Sequence, residues 1–215
     1  MSTLSIPDPI KVVTGLTIYP AALVADQQRD LVEILRAGLA AAPLFVPMMP
    51  RSGRPFSVRM SNFGPLGWVS DKAGYRYQST HPDTGQPWPA IPEILLGVWG
   101  QVSGYPHPPE AALLNWYGPD AKMGLHQDSD EADLQAPVVS LSLGDDALFR
   151  YQVPGQSSSA SFKLHSGDIL VMGGPMRLCR HGVSRIYPGT SVLLPAPGRI
   201  NITMRRVNLP GETPC

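Results

Sequence analysis

His126, Asp128 and His181 carry the side chains best suited to bind a transition metal together. In an extended segment, residues two apart point to the same side, so His126 and Asp128 present an imidazole and a carboxylate in one direction. His181 follows the strand-like segment 168–172. Two neutral imidazoles and one carboxylate form the facial donor set that holds ferrous iron with coordination positions left open. The same donors serve zinc hydrolases, and a His-x-Asp tripeptide also arises by accident.

A second feature discriminates. In Arg199-Ile200-Asn201-Ile202-Thr203-Met204-Arg205 every odd residue is polar and every even one apolar. A strand separates these into two faces and spaces its arginines by about 20 Å at the backbone. Their long side chains can lean together over a ligand between them. Two guanidiniums on one face suit a small dicarboxylate, each end held through paired N–H donors. Alone, the pattern also fits a solvated strand face. Asn115 and Tyr117, likewise two apart, can add hydrogen bonds to the same ligand. Zinc hydrolysis has no use for such a pair of cations, whereas an iron oxygenase needs an electron-donating cosubstrate. A 2-keto diacid chelates the metal at one end and needs a cation at the other. The order His-x-Asp, His, Arg therefore predicts an iron oxygenase.

Positioning these residues requires strands. From Ala111 the hydrophobic period is two, and the segments 111–117, 138–143, 147–153, 160–164, 168–172 and 199–207 are bounded by turn residues such as Gly144-Asp145 and Ser166-Gly167-Asp168. This predicts a small β-barrel or jelly roll (residues 111–210). A helix is expected after Asp26 as N-cap, with Leu31, Ile34, Leu35 and Leu39 on its apolar stripe. Residues 1–45 thus form an N-terminal helical extension. A second, supporting helix fits Pro92 to Val102 within 81–110, on Ile94, Val98 and Val102, with Gly104 beyond its end. Between them, Pro43 to about Tyr77 is rich in Pro and Gly, with interleaved Phe56, Arg59, Phe63, Trp68, Tyr75, Arg76 and Tyr77. It reads as short strands and loops that cover the core, the lid proper falling in 46–80.

The bulk properties agree with one folded domain and its extension. Of 215 residues, 43% are hydrophobic, and the formal net charge is zero, so composition announces no strongly basic nucleic-acid binder. The cysteines are two, Cys179 and Cys215, too few for a disulfide framework. The N-terminus lacks a secretory pattern, and the apolar stretch from Ala37 to Pro50 is short and broken by prolines. A soluble, cytoplasmic protein without membrane contact is expected, and a monomer, since no apolar stripe is left over.

The blocks SNFGPLGWVSDKAGYRYQ (61–78), PWPAIP (87–92), NWYGPDAKMGLHQDSDEADLQAPVVSLSLG (115–144) and RINITMR (199–205) resemble those of the AlkB family of Fe(II)- and 2-oxoglutarate-dependent nucleic-acid dealkylases. The likeness runs from about Ser57 to Arg205. It implies a double-stranded β-helix with a nucleotide-recognition lid, and Fe(II), 2-oxoglutarate and O2 as reactants. It implies His126, Asp128 and His181 as iron ligands, Arg205 toward the C1 carboxylate of 2-oxoglutarate, and Arg199 toward the C5 carboxylate with Asn115, Tyr117 and Asn201. Trp68 and Tyr75 resemble the aromatics that contact the damaged nucleotide, with Arg76 and Tyr77 beside them, and Asp130 the residue that approaches the exocyclic nitrogen of the base. The implied activity is demethylation of 1-methyladenine and 3-methylcytosine in single-stranded DNA, with double-stranded DNA or RNA as further substrates, releasing formaldehyde and succinate. Arg51, Arg54, Arg59, Arg177, Arg180 and Arg185 are candidate phosphate contacts. The sequence departs from the family pattern at 48–56, at Met172, Met176 and Cys179, and in the QSSSAS loop (156–161). An oxygenase of a protein side chain or small metabolite, and a binder of damaged strands without turnover, are the competing readings. The aromatic lid and the complete triad argue against each in turn.

Overall fold

The alternating segments pair as antiparallel strands in two facing sheets, seen in a computed structural model that describes residues 4–211. Residues 1–3 and 212–215, Cys215 among them, lie outside the described residues. In chain order the strands are β1 (Ile10–Val13), β2 (Leu16–Tyr19), β3 (Arg59–Phe63), β4 (Gly67–Asp71), β5 (Gly74–Gln78), β6 (Ala111–Tyr117), β7 (Met123–His126), β8 (Val138–Gly144), β9 (Asp146–Gln152), β10 (Ala160–Leu164), β11 (Ile169–Met172), β12 (Arg180–Tyr187) and β13 (Arg199–Arg205). The large sheet runs β1-β2-β11-β8-β13-β6-β3 and the small one β10-β9-β12-β7, while β4 and β5 form a separate hairpin. This is the mainly β, jelly-roll architecture with two flanking helices that the residue pattern predicts.

The period-two pattern decides what each face of the large sheet does. Leu114, Leu141, Leu143, Ile200, Ile202 and Met204 point to one side, where they bury against the helices α1 (Ala25–Ala41) and α2 (Glu93–Val102). Their neighbours Leu113, Asn115, Tyr117, Ser140, Asn201 and Thr203 point the other way, into a cavity. The helices thus stiffen the back of the sheet whose front carries the polar groups. No helix among the described residues is long and apolar enough to cross a membrane.

The structure corrects several details. α1 begins at Ala25 with Val24 as its N-cap, and Asp26 sits inside the first turn, paired with Arg29. Val32 takes the buried position expected for Ile34, which is 39% exposed. On α2 the buried stripe is Leu95, Val98, Trp99 and Val102, displacing Ile94. β1, β2, β7 and β12 were not predicted: each is short or interrupted by Gly and charge, and each gains its stability from neighbours rather than from local pattern. β1 and β2 lengthen one edge of the large sheet, so the N-terminal stretch supplies more than a helix. β3 lies within the expected cover, yet it pairs with β6 and buries Met60 and Phe63.

Candidate active site

The register of β12 on β7 sets His181 directly opposite His126, so the two imidazoles meet across the small sheet with ring centroids 4.6 Å apart. Gly182 permits this approach: a Cβ there would lie 2.5 Å from the Met123 carbonyl oxygen and 2.6 Å from that of Gly124. Asp128 follows β7 and turns its carboxylate between the rings, Oδ1 3.6 Å from His126 Nε2 and Oδ2 3.8 Å from His181 Nε2. The three ligand atoms all lie within 4.8 Å of one another, as a metal ion requires. Each imidazole is oriented from behind: Nδ1 of His126 is 2.9 Å from the Gly124 carbonyl and Nδ1 of His181 is 3.2 Å from that of Cys179. A carbonyl only accepts, so it fixes the proton on Nδ1 and leaves the Nε2 lone pairs facing the carboxylate. Burial lowers His181 to about 4 against the opposing pull of Asp128, so the ring stays neutral and able to ligate. Burial alone would raise the Asp128 carboxyl, but Arg205, His181 and His126 together hold it well below the usual range.

These groups line one end of a cavity of about 240 Å³ between the sheets. All four odd residues of β13, Arg199, Asn201, Thr203 and Arg205, face it and are buried. Arg205 spends Nε and Nη2 on Asp128 Oδ2, at 3.1 and 2.8 Å. Arg199, only 1% exposed, gives Nη2 to Ser142 Oγ at 2.9 Å. Its Nε and Nη1 and Asn115 Oδ1 are, among the described residues, the buried side-chain polar atoms that lack a hydrogen-bond partner. Burial lowers the Arg199 pKa, with the Tyr117 ring 5.4 Å from the guanidinium. Leaving buried polar groups unpaired costs about 1–3 kcal/mol each, and more for charged ones. The two free N–H groups of Arg199 suit an anionic oxygen at this end of the cavity, and Asn115 Oδ1 suits a donor.

Over the mouth lies the β4–β5 hairpin. Trp68 and Tyr75 stack with centroids 5.5 Å apart and 18° between planes, and Phe56 meets Trp68 edge-on at 6.4 Å. Trp68 donates its indole N–H to Asp130 Oδ2 at 2.7 Å, tying the hairpin to the segment that follows the triad.

Comparison with known proteins agrees with this geometry. The 2OG-Fe(II) oxygenase superfamily model matches residues 15–205. An alpha-ketoglutarate-dependent dioxygenase AlkB homolog from Caulobacter vibrioides is 48% identical over 202 residues, 94% of this chain and 91% of that one. The chain belongs to the AlkB family. AlkB of Escherichia coli K12 is 39% identical over 175 residues, covering 78% of this chain and 80% of its own. A tRNA demethylase of Schizosaccharomyces pombe is 37% identical over 83 residues, 38% of this chain and 28% of its own length. The solved structure of OsALKBH1 superposes with a TM-score of 0.78 at 30% identity, covering 93% of this chain and all of that one.

As an AlkB-family dioxygenase the protein uses Fe(II), 2-oxoglutarate and O2. The residues present fit those reactants. His126, Asp128 and His181 could hold the iron. The unpartnered N–H groups of Arg199, at the opposite end of the β13 face from Arg205, fit a carboxylate. Tyr117 lines the same wall with its phenol kept protonated by burial, despite the opposing effect of Arg199. Asn201 also faces the cavity, with its amide nitrogen bonded to Ser140 Oγ and the Leu141 carbonyl.

Of the five residues expected around the AlkB-family substrate, Trp68, Tyr75 and Asp130 line the cavity, whereas Arg76 and Tyr77 do not. Arg76 is paired with Val69 across the hairpin and bound to both carboxylate oxygens of Asp71. Tyr77 turns inward against Leu66, Ala111 and Val207, and donates its hydroxyl to Glu131. Burial raises its phenol well above the usual range. Arg177 is no phosphate contact: it is buried and bonded to Glu131, to the Asp128 carbonyl and to the Ala136 carbonyl. Arg51, Arg54, Arg59, Arg180 and Arg185 remain exposed. Sequence reading passed over Phe56, Met60, Leu113, Ser140 and Thr203 as cavity lining. Thr203 was marked by the β13 alternation and Leu113 by that of β6, so both could have been found. Met172 also lines the cavity and lies 3.7 Å, sulfur to sulfur, from Cys179, whose thiol burial pushes up to about 11.

Proposed function

We propose that this chain removes methyl groups from N1 of adenine and N3 of cytosine in single-stranded DNA, acting as a monomer in the cytoplasm. The carrying observation is the Trp68–Asp130 pair at the mouth of the cavity that holds the His-Asp-His cluster. A base methylated at either nitrogen is cationic and flat. It is attracted to the face of an indole and to a carboxylate, and having lost its normal pairing it costs less to extrude. We assign His126, Asp128 and His181 to the metal. Arg199, Asn115 and Tyr117 take the far carboxylate of 2-oxoglutarate, with Asn201 on the same wall, and Arg205 and Asp128 lie at the keto end. Residues 46–80 act as the nucleotide lid over a core of 111–210, with α2 as its support. Exposed arginines such as Arg51 and Arg54 supply phosphate contacts.

When bound, iron and 2-oxoglutarate supply oxidation of the N-methyl C–H bond by O2: one oxygen atom enters the methyl group and the other enters succinate as CO2 leaves. The hydroxymethyl product then breaks its N–C bond, giving the free base and formaldehyde. The protein contributes no nucleophile and no acid-base pair. It positions the methyl group, pins the diacid and keeps the metal donors aligned. Kinship with a tRNA demethylase supports RNA as an alternative polymer. The test is formaldehyde release from oligodeoxynucleotides bearing 1-methyladenine or 3-methylcytosine, expected to match succinate formation. Succinate without loss of methyl groups would overturn the substrate assignment.

A further inference from the structure

Behind the candidate metal ligands runs a buried row of charged side chains that ends in the lid. Arg177 Nη2 lies 3.0 Å from Glu131 Oε2, and Arg205 Nε lies 3.5 Å from Glu131 Oε1. Arg205 in turn holds Asp128 Oδ2, and Arg177 Nη1 holds the Asp128 carbonyl at 2.7 Å. All four side chains are more than nine-tenths buried. Two guanidiniums face two carboxylates, so the row is electrically balanced before any ligand enters. Glu131 also accepts the hydroxyl of Tyr77, a residue of lid strand β5. One carboxylate therefore touches the lid and both arginines that grip Asp128.

We infer that Glu131 is a positioning residue that latches the lid, through Tyr77, to the cofactor site, so that seating the lid on a substrate strand and gripping the keto acid reinforce each other. Its partners leave it little freedom. Both oxygens are engaged, and moving β5 pulls on the same carboxylate that fixes the Arg205 guanidinium beside Asp128. Such coupling is reciprocal by thermodynamic necessity: whatever factor the oligonucleotide gives to diacid affinity, the diacid returns to the oligonucleotide. The inference rests on the reading of the cavity as an Fe(II)/2-oxoglutarate site beneath a nucleotide lid.

The experiment measures 2-oxoglutarate affinity of the Fe(II)-loaded protein anaerobically, from the visible band of the chelated keto acid, with and without a 1-methyladenine oligonucleotide. For the unmodified chain the oligonucleotide is expected to tighten the diacid about fivefold, the lower range of ordinary coupling. In Tyr77→Phe, which keeps the ring in its apolar setting, the factor is expected to fall to about one. Ser70→Ala serves as control, since the Ser70 hydroxyl donates to the Met48 carbonyl within the lid and has no part in the row, and is expected to keep the factor. Glu131→Gln leaves Arg177 and Arg205 undercompensated and is expected to weaken diacid binding with or without oligonucleotide. If that variant fails to fold, Tyr77→Phe still decides. An unchanged factor in Tyr77→Phe, or no factor in the unmodified chain, would overturn the latch while sparing the site. Absence of the band from folded, unmodified protein would overturn the reading of the site, and the latch with it.

Discussion

The floor of the cavity and its lid are both antiparallel strands, yet they are held in opposite ways. On the floor, β13 pairs along nearly its whole length with β6 on one side and β8 on the other, and all seven of its residues are buried. Its polar side chains are fixed by helices packed behind the sheet. The β4–β5 hairpin pairs only with itself, and Tyr75 at its mouth is 52% exposed. It is held by separate hydrogen bonds: Asn62 bonds both backbone groups of Trp68, and Ser70, Trp68 and Tyr77 donate to the Met48 carbonyl, Asp130 and Glu131. Reactive geometry needs side chains held to fractions of an ångström, which a buried strand provides. Recognition of a strand that must enter and leave needs an element that can move, and the hairpin meets the buried charged row at one point, the Tyr77–Glu131 bond. The two regions should therefore respond differently to substitution.

The largest effect is expected at the point where floor and metal site meet. Asp128→Asn keeps the shape but removes the charge facing two imidazoles and Arg205. Loss of a group that merely supports a ligand costs about 10–100-fold, so loss of the ligand's own charge should lower product formation by at least about 100-fold. The anaerobic keto-acid band should vanish as well. An Asn variant that keeps both would remove the carboxylate from the donor set. Next comes Arg199→Leu. Two charge-assisted hydrogen bonds to a carboxylate are lost, raising the KM for 2-oxoglutarate about 30-fold, roughly 2 kcal/mol. The ligand-free variant should melt no lower than the unmodified chain by more than a few degrees, because an uncompensated buried cation has been removed. A sharp loss of stability with unchanged KM would instead make Arg199 structural.

Acidification tests the candidate metal site through His181 of β12, on the sheet that faces the floor. Its pKa is about 4 in the folded state, with burial as the chief cause, against about 6.5 unfolded. Between those values the unfolded chain binds the extra proton, so stability falls as pH drops from 6.5 toward 4 and is fully present above 6.5. Asp128, depressed when folded, withdraws stability in the same direction at lower pH. Going from pH 7 to 5 should cost about 2 kcal/mol, a drop of roughly 4–8 °C in Tm, and His181→Gln should flatten that slope. A metal-free protein whose Tm is level across this range would contradict a buried, neutral His181. In the lid, Trp68→Ala should raise the KM for methylated oligonucleotide about tenfold, within the usual range for a stacked base. With the Tyr77–Glu131 bond intact and the oligonucleotide saturating, the KM for 2-oxoglutarate should stay within twofold, and a larger rise would place Trp68 itself in the coupling between lid and cofactor site.

What the sequence made legible follows the same division. Alternation in β6 and β13 separated core from cavity residues correctly, and His126-x-Asp128 revealed two donors although β7 ends at His126 and Asp128 turns in from the segment after it. The second histidine needed only a strand opposite, although β12 itself was hidden by Gly182 and by the charges of Arg180 and Arg185, which break a period-two pattern. Ion pairs were not legible at all. Nothing local marks Arg177 and Glu131 as buried partners, since the chain between them passes through β8 to β11 before they meet. From the sequence Arg177 is a candidate phosphate contact, and only the fold, which buries it with Glu131, excludes that role.

Arg76 gives the smallest expected effect and the sharpest check on how far the lid's residues can be read by adjacency. It stands between Tyr75 and Tyr77, and closeness in sequence suggested a share in substrate binding. In a strand, however, neighbours point apart, and Arg76 lies opposite Val69, on the other face of the hairpin from Tyr75, and does not line the cavity. Its guanidinium is taken by Asp71 at 3.0 and 2.8 Å, with the two side chains 40% and 44% exposed. Exposed pairs of this kind contribute about 0–1 kcal/mol, less at high salt. Arg76→Ala should therefore leave the KM for methylated oligonucleotide within twofold and the Tm within a few degrees, beside the tenfold change at Trp68. A larger rise in KM that shrinks steeply with added salt would mean that Arg76 leaves Asp71 for a phosphate when a strand binds, and Arg76 would then belong to the nucleic-acid interface.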